Sequence, residues 1–112
     1  MINPDVTPPA ITPELMIVSS PWGHVQYRRM IAPGVVLVET ASHGGAFVTA
    51  EAQAKIPAAL RSDDRFYEED CELAAIIATW PEYFTAEARA YADRQVASGR
   101  GFNFRARRYG RG

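Results

Sequence analysis

The fold of this chain is decided by the stretch Val35-Val36-Leu37-Val38-Glu39-Thr40. Its first four residues are apolar without interruption, and three of them are β-branched valines. Such a run is typical of a strand that is covered on both faces of a sheet. We therefore expect a central β-strand at this position.

Segments on both sides of this strand carry weaker β signals. Residues 24–31 alternate between apolar and polar side chains, which is the period of a half-exposed strand. Residues 32–34, Ala-Pro-Gly, predict the turn that joins the two strands. A short strand at 46–48 and another at 15–18 complete the pattern. We expect a small antiparallel sheet of three or four strands over about residues 15–48.

Helical signals follow the strands. Thr49 is a suitable N-cap for a helix over about 50–61, which Pro57 interrupts and then restarts. A stretch that is apolar nearly all round predicts a buried helix within about 68–80, ended by the proline that follows it. We expect its Ile76 and Ile77 to contact one face of the sheet, formed by Val35 and Leu37 or by Val36 and Val38.

Thr85 is expected to cap a last helix over about 86–98, with Gly99 as its C-terminal stop. Strands first and helices second, without alternation, are typical of the α+β class. We therefore predict an α+β fold in which the helices pack on one face of the sheet.

Length and composition indicate a single domain, because the chain has 112 residues and an ordinary apolar fraction of 47%. Residues 1–13 contain four prolines and are expected to form an extended arm. The domain itself is expected over 14–98, followed by a tail over 99–112. The chain carries no membrane-spanning apolar run and no signal-peptide pattern at its start, so we expect a cytoplasmic protein.

The charge of the chain is distributed unevenly. Residues 1–98 hold all 13 acidic residues and 7 of the 12 basic ones, whereas 99–112 hold five arginines and no acid. Arginines interleaved with aromatic side chains are typical of sequence-tolerant nucleic-acid binding, with Arg on phosphates and aromatic rings on bases. Equally, the tail can pair with the chain's own acidic residues. The residues concerned are Arg100, Arg105, Arg107, Arg108 and Arg111.

Ser42-His43-Gly44-Gly45 is the first motif that can carry chemistry. It falls in a predicted connection between two strands, where a scaffold positions functional side chains. The two glycines are consistent with a small anion-binding nest or close approach to a ligand, and equally with a hairpin turn that needs glycine. Both interpretations stay open at this point.

Cys71 is the only cysteine of the chain, and it lies in a second polar motif at 67–72. A helix N-terminus favours a thiolate, but the neighbouring carboxylates oppose it. With His43 as its base, Cys71 would be a candidate nucleophile; otherwise it is a small core residue. We expect residues 42–45 and 67–71 to lie close together as a polar cluster.

Acidic residues surround that cysteine. Carboxylates just before a helix complement its positive end and need no ligand. With a histidine they could bind a divalent cation, but no His-x-x-x-His or Glu-x-x-His pair fixes such a site, so we assign no metal and no cofactor. The residues we take as a binding surface are His43, Gly44, Gly45, Tyr67, Glu68, Glu69 and Asp70.

Five motifs occur in order along the chain: Pro-Trp-Gly at 21–23, Ile-Ala-Pro-Gly-Val at 31–35, Ser-His-Gly-Gly at 42–45, Ile-Pro-Ala-Ala-Leu-Arg at 56–61 and Tyr-Glu-Glu-Asp-Cys-Glu at 67–72. Together they resemble an uncharacterised domain family found in proteobacterial plasmid and phage genes. The resemblance spans roughly residues 21–84 and implies no activity or catalytic residue. It implies a mobile-element context, in which small proteins often bind host machinery.

Three functions compete on this basis. A non-enzymatic module that binds a host or phage macromolecule, with a protein as the expected partner, requires no chemistry that the chain lacks. A hydrolase using Cys71 and His43 is the first alternative. Nucleic-acid binding through the arginine-rich tail is the second.

Overall fold

The computed structural model describes residues 1–99. Within them the chain forms six β-strands, three α-helices and short 3-10 turns at 13–15, 58–60 and 81–83. Their bounds are β1 (Ser19–Ser20), β2 (Gly23–His24), β3 (Tyr27–Ala32), β4 (Val35–Glu39), β5 (Gly44–Val48), α1 (Ala50–Lys55), β6 (Phe66–Glu68), α2 (Leu73–Thr79) and α3 (Ala86–Ser98).

The main sheet is antiparallel and has the order β3-β4-β5-β6, while β1 and β2 form a small hairpin of their own. As expected, β4 is a central strand, with Leu37 opposite Arg29 on one side and Ala46 on the other. Five of the strands precede the helices, β6 lies between α1 and α2, and the helices pack on one face of the sheet, so the predicted α+β class is confirmed.

Side-chain alternation along β4 separates two apolar cores. Val35 and Leu37 face the helices and share a core with Ile76 and Ile77 of α2. Val36 lies in a second core on the opposite face. Of the two registers that the sequence allowed, the pair of residues 35 and 37 is therefore the one that meets α2.

Helix starts agree with the expected caps. The Thr49 hydroxyl accepts a hydrogen bond from Ala52 N–H at 3.0 Å, and the Thr85 hydroxyl accepts one from Ala88 N–H at 3.2 Å. Gly99 ends α3 in the left-handed conformation, with φ of 68°. Each cap satisfies a backbone group that the helix itself leaves free.

Two predicted helices are shorter than expected. The helix at 50–61 ends at Lys55, because Ile56 precedes a proline and is extended, with φ −77° and ψ 134°. The helix at 68–80 begins only at Leu73. Glu68 instead ends β6, and the N–H of Glu69 donates to the carbonyl of Gly44, so these residues extend the sheet.

The expectation of a first strand at residues 15–18 is also wrong. Residues 13–15 form a 3-10 turn that starts with Pro13, and residues 16–18 are irregular. The strand expected at 24–31 begins at Tyr27. Leu15 is fully buried, so the apolar run that suggested a strand serves instead to place side chains against the sheet.

The face of the sheet away from the helices is covered by the chain that precedes β3. Leu15 and Val25 are buried there against Val36, Val38 and Phe47. Around them lie the half-buried side chains of Ile17, Trp22, Met30 and Phe66. We call residues 15–25 the covering segment.

Glu14 ties the start of this segment to the sheet. Its carboxylate accepts hydrogen bonds from Ala50 N–H at 3.1 Å and from Arg65 Nη1 at 3.0 Å. Both hydrogen bonds lower the pKa of the Glu14 carboxyl below its ordinary value, and the bond from Ala50 has the larger effect. Glu14, directly before the covering segment, therefore ties it to the first residue of α1 and to Arg65 just before β6.

Residues at the beginning of the chain contact the connection between α2 and α3. Ile2 forms an isolated bridge with Phe84, and Asn3 N–H donates to the carbonyl of Tyr83 at 2.9 Å. Thr85 N–H donates to the carbonyl of Met1 at 2.8 Å.

None of the α-helices within residues 1–99 has both the length and the apolar character needed to cross a membrane.

We expect Ile76→Ala to lower the free energy of unfolding by about 2–5 kcal/mol. This α2 side chain is fully buried in the core between the helix and the sheet, so its truncation leaves a cavity. Urea denaturation followed by circular dichroism measures this change. Val18→Ala is the matched control, since Val18 is 60% exposed and should change stability by less than about 0.5 kcal/mol. Equal effects of the two substitutions would contradict the assigned core.

Candidate functional site

The connection between β4 and β5 is held closed by Thr40. Its hydroxyl oxygen accepts hydrogen bonds from Ser42 N–H at 3.3 Å and from His43 N–H at 3.1 Å, and its own N–H donates to the His43 carbonyl at 2.9 Å. These bonds engage the N–H groups of Ser42 and His43 within the connection itself.

Gly44 and Gly45 are buried residues of β5 rather than turn residues, and neither has a positive φ. The expectation that they shape a hairpin turn is therefore wrong. A Cβ at Gly45 would lie 2.5 Å from Cη2 of Trp22 and would collide with the carbonyl oxygen of Tyr67. Glycine is needed here because two other parts of the chain approach the strand closely.

The pairing of β5 with β6 brings the two polar motifs together, as the sequence predicted. Gly45 lies opposite Glu68, and Glu69 N–H donates to the Gly44 carbonyl at 3.1 Å. The motif at 42–45 and the motif at 67–71 are thus neighbours on adjacent strands, although they are about twenty residues apart in the chain.

An open depression lies where these two motifs meet. On β4, Glu39 pairs with Gly44, and on the other side of Gly44 lies Glu69, whose Oε2 would be 3.1 Å from a Cβ placed on the glycine. We call Glu39, Gly44 and Glu69 the acidic slot. The depression has a volume of ≈ 200 Å³ and is lined by Glu39, Thr40, Ala41, Ser42, His43, Gly44 and Glu69.

Tyr27 extends this arrangement toward the edge of the sheet. It lies opposite Glu39 and is 49% exposed. Alternation places Tyr27, Glu39 and Gly44 on the helix side of the sheet, beyond the part that the helices cover. The sequence alone indicates neither Tyr27 nor Glu39 as a site residue; the register of the three paired strands places Glu39 beside Gly44 and Tyr27 beside Glu39.

Tyr67 belongs to the core and not to this exposed surface. Its side chain is fully buried, and its hydroxyl donates to Gln53 Oε1 at 2.7 Å and accepts from Ser62 N–H at 3.0 Å. Gln53 Nε2 in turn donates to the Ser62 carbonyl at 2.5 Å, which closes a ring of three hydrogen bonds. Burial raises the pKa of Tyr67 to about 12.

Glu72, one of the carboxylates that surround Cys71 in the sequence, is buried. It is 1% exposed, and its Oε1 accepts a hydrogen bond from Glu68 N–H at 2.9 Å. The bond folds the turn between β6 and α2 back onto the strand, so Glu72 stabilises the edge of the sheet next to Gly45 and its neighbours.

Cys71 lies on the helix side of the polar cluster. The residue is half-buried. Burial raises the pKa of the nearby Tyr91 hydroxyl, and the charges of Cys71 and Asp70 raise it further. The Tyr91 hydroxyl donates to the carbonyl of Asp70. Within residues 1–99, Cys71 and His43 share no hydrogen bond, so the described geometry gives the hydrolase alternative no support.

The other residues of the predicted binding surface also divide into exposed and buried ones. Glu69 and Asp70 are exposed and Glu68 is half-buried, whereas Gly44 and Gly45 are buried in the strand. In the described part of the chain, no cluster of His, Cys, Asp or Glu side chains is arranged to hold a metal ion. The arginines at 100, 105, 107, 108 and 111 lie outside the described residues.

A known family model matches most of this chain. The sequence model of a domain of unknown function, DUF7007, matches residues 16–105. The chain belongs to this family. The match includes all of the covering segment except Leu15, together with the sheet, the acidic slot and all three helices of the DUF7007 domain. No curated protein and no solved structure matches the chain.

Tyr67→Phe should lower the free energy of unfolding by about 1–3 kcal/mol, because it leaves the buried Ser62 N–H and the half-buried Gln53 Oε1 without the hydroxyl. The change also alters the alkaline stability profile. The pKa of Tyr67 is about 12 in the folded protein and 10.0 ordinarily, so its contribution is complete below pH 10 and is lost as the pH rises toward 12.

Urea denaturation at several pH values between neutral and alkaline tests both statements. The Tyr67→Phe variant should be less stable at neutral pH and should lose less stability in alkali than the unmodified protein. Tyr27→Phe is the matched control, since that side chain is 49% exposed and should leave stability nearly unchanged. Equal alkaline profiles for the two variants would contradict the role given to the Tyr67 hydroxyl.

Proposed function

We propose that this domain is a non-enzymatic protein-binding module that accepts a basic side chain of its partner in the acidic slot. The observation that carries the proposal is the pair of carboxylates, Glu39 and Glu69, on either side of a residue without a side chain. A guanidinium or ammonium group is the complement of two carboxylates around an open space.

The spacing of the slot supports a forked ligand. Neighbouring strands lie about 4.8 Å apart, so the backbones that carry Glu39 and Glu69 are separated by roughly two such steps, with Gly44 between them. The planar guanidinium of arginine presents donors on several sides and can meet both carboxylates at once. Lysine can meet them only as a point charge.

Affinity must come from more than charge. Exposed ion pairs contribute about 0–1 kcal/mol each, so Glu39 and Glu69 act mainly on specificity and orientation. Tyr27, 49% exposed and opposite Glu39, supplies an aromatic face for the same cation and for apolar atoms of its stem. His43, Ser42 and Thr40 line the rim and offer hydrogen-bonding groups.

The biological partner we propose is a host or phage protein, met in the cytoplasm. This part of the proposal is supported by the ordered motifs that resemble domains from plasmid and phage genes. Small proteins from such genes commonly act by binding host machinery, and the acidic slot gives this domain a surface suited to a basic segment of such a partner.

Binding of a short capped peptide with one arginine between leucines tests the proposal, with citrulline in place of arginine as the uncharged comparison. Glu39→Gln and Glu69→Gln should each weaken arginine-peptide binding by about fivefold, because each removes one charged hydrogen-bond acceptor. Nuclear magnetic resonance titration measures binding and maps it to residues.

Gly44→Ala should also weaken this binding, because its Cβ would enter the slot without changing any charge. The matched control is Glu87→Gln, which removes an exposed carboxylate on α3 and should leave binding unchanged. If citrulline and arginine peptides bind equally, or if Glu87→Gln acts like Glu69→Gln, the slot is not the binding site.

A second candidate function is nucleic-acid binding by the C-terminal tail. The observation that favours it is the composition of residues 99–112, which hold five arginines and no acid. Such binding depends on displaced counterions and weakens steeply as salt is raised. The acidic slot would repel phosphate, so the tail would have to supply this function by itself.

Deleting residues 101–112 should abolish binding to a short single-stranded oligonucleotide and leave the melting temperature nearly unchanged. Fluorescence anisotropy at several salt concentrations measures the first effect, and calorimetry the second. Oligonucleotide binding that survives the deletion would contradict a role for the tail. A large fall in melting temperature would show that its aromatic residues are needed for the fold.

A further inference from the structure

The two outer strands of the main sheet have different free edges. On β6, the Glu68 N–H is occupied by the buried carboxylate of Glu72. On β3, the backbone pairs with β4, and no hydrogen bond within residues 1–99 reaches its other side. Alternate N–H and C=O groups along an antiparallel edge strand point away from the sheet, so β3 presents unpaired groups to solvent.

The accessible part of β3 carries positive charge. Tyr27 and Arg29 are exposed, Arg28 and Met30 are half-exposed, and the strand becomes buried only at Ile31. Pairing of β3 with a second copy of itself would set arginines against arginines, which destabilises a strand pair. The sequence of residues 100–112, with five arginines and no acid, does not complement this charge either.

Apolar side chains lie beside this edge on the face away from the helices. Arg28 Nη1 donates to the carbonyl of Ile17 at 3.0 Å, which fixes the covering segment against β3. The residues on either side of Ile17 are unusually open for their type: Met16 is 49% exposed and Val18 is 60% exposed. The edge therefore offers charge on one face and apolar surface on the other.

We infer that the edge of β3 binds an extended acidic segment of a partner protein as a fifth strand of the sheet. Backbone hydrogen bonds to β3 supply the pairing. Acidic side chains at alternate positions meet Arg29 on the helix side, and apolar side chains at the positions between them meet Met16 and Val18. Tyr27 borders both this edge and the acidic slot, but the charges that carry the two proposals differ, since Arg29 lies on β3 whereas Glu39 and Glu69 lie outside it.

A short capped peptide in which glutamate and valine alternate is the probe. Its binding to the full chain is measured by fluorescence anisotropy and by amide shifts of residues 27–30. Arg29→Glu should weaken binding by about tenfold or more, because it replaces attraction by repulsion beside the added strand. Arg94→Glu, an equal change of charge at an exposed position of α3, should change binding by less than about twofold.

Backbone pairing is tested with the unmodified protein, so that the result does not depend on the folding of a variant. N-methylation of every second peptide amide blocks one edge of the peptide, and methylation of the other amides blocks the opposite edge. We expect one of these two peptides to lose binding and the other to keep it.

Three results would overturn the inference. Equal binding of the two methylated peptides would exclude strand addition. Equal effects of Arg29→Glu and Arg94→Glu would show attraction to overall charge only. Concentration-dependent pairing of the chain through residues 27–30 in the absence of peptide, seen by analytical ultracentrifugation and amide shifts, would assign the edge to a second copy.

Discussion

The absence of a side chain at Gly45 is the constraint on which the structure depends. This position lies on an inner strand, opposite Glu68 on β6, and Trp22 of the covering segment approaches it to 2.5 Å from where a Cβ would be. The pairing of β5 with β6 and the packing of the covering segment on the sheet therefore both depend on Gly45. Trp22 then packs edge-on against Phe66, with ring centroids 5.6 Å apart, so the cover rests on β6 as well as β5.

The two faces of the sheet are stabilised by different means. On the helix side, α2 and α3 bury a continuous apolar core, and the ring of hydrogen bonds around the Tyr67 hydroxyl satisfies the polar groups at its border. On the other side, irregular chain takes the place of helices, and aromatic contacts such as Phe47 with Phe66 complete the packing. Exposed polar residues are left at one end of the sheet, where both candidate surfaces lie.

Local sequence patterns correctly predicted the strand and helix starts that depend only on neighbouring residues. The β-branched run at 35–38 became the central strand, and the caps at Thr49 and Thr85 marked two helix starts, because propensity and capping act within a few residues. The nearness of the two polar motifs was also predicted. The class of the fold followed from the order of these elements alone.

Features that depend on distant partners were missed. Nothing near residues 66–68 shows that they pair with β5, since the apolar stretch that follows them favours a longer helix. The role of Gly45 requires Trp22, which is 23 positions away in the sequence. Glu39 became a site residue only through strand register, and register is set by the packing of whole faces.

The covering segment has a consequence for how the domain opens. It contains only two-residue strands, and its start is tied to α1 and β6 by the ionised carboxylate of Glu14. Because the pKa of Glu14 is lowered in the folded state, that tie is present at neutral pH and is lost as acid protonates the carboxyl. Because this segment has few backbone bonds of its own, we expect it to open before the central strands when acid removes the tie.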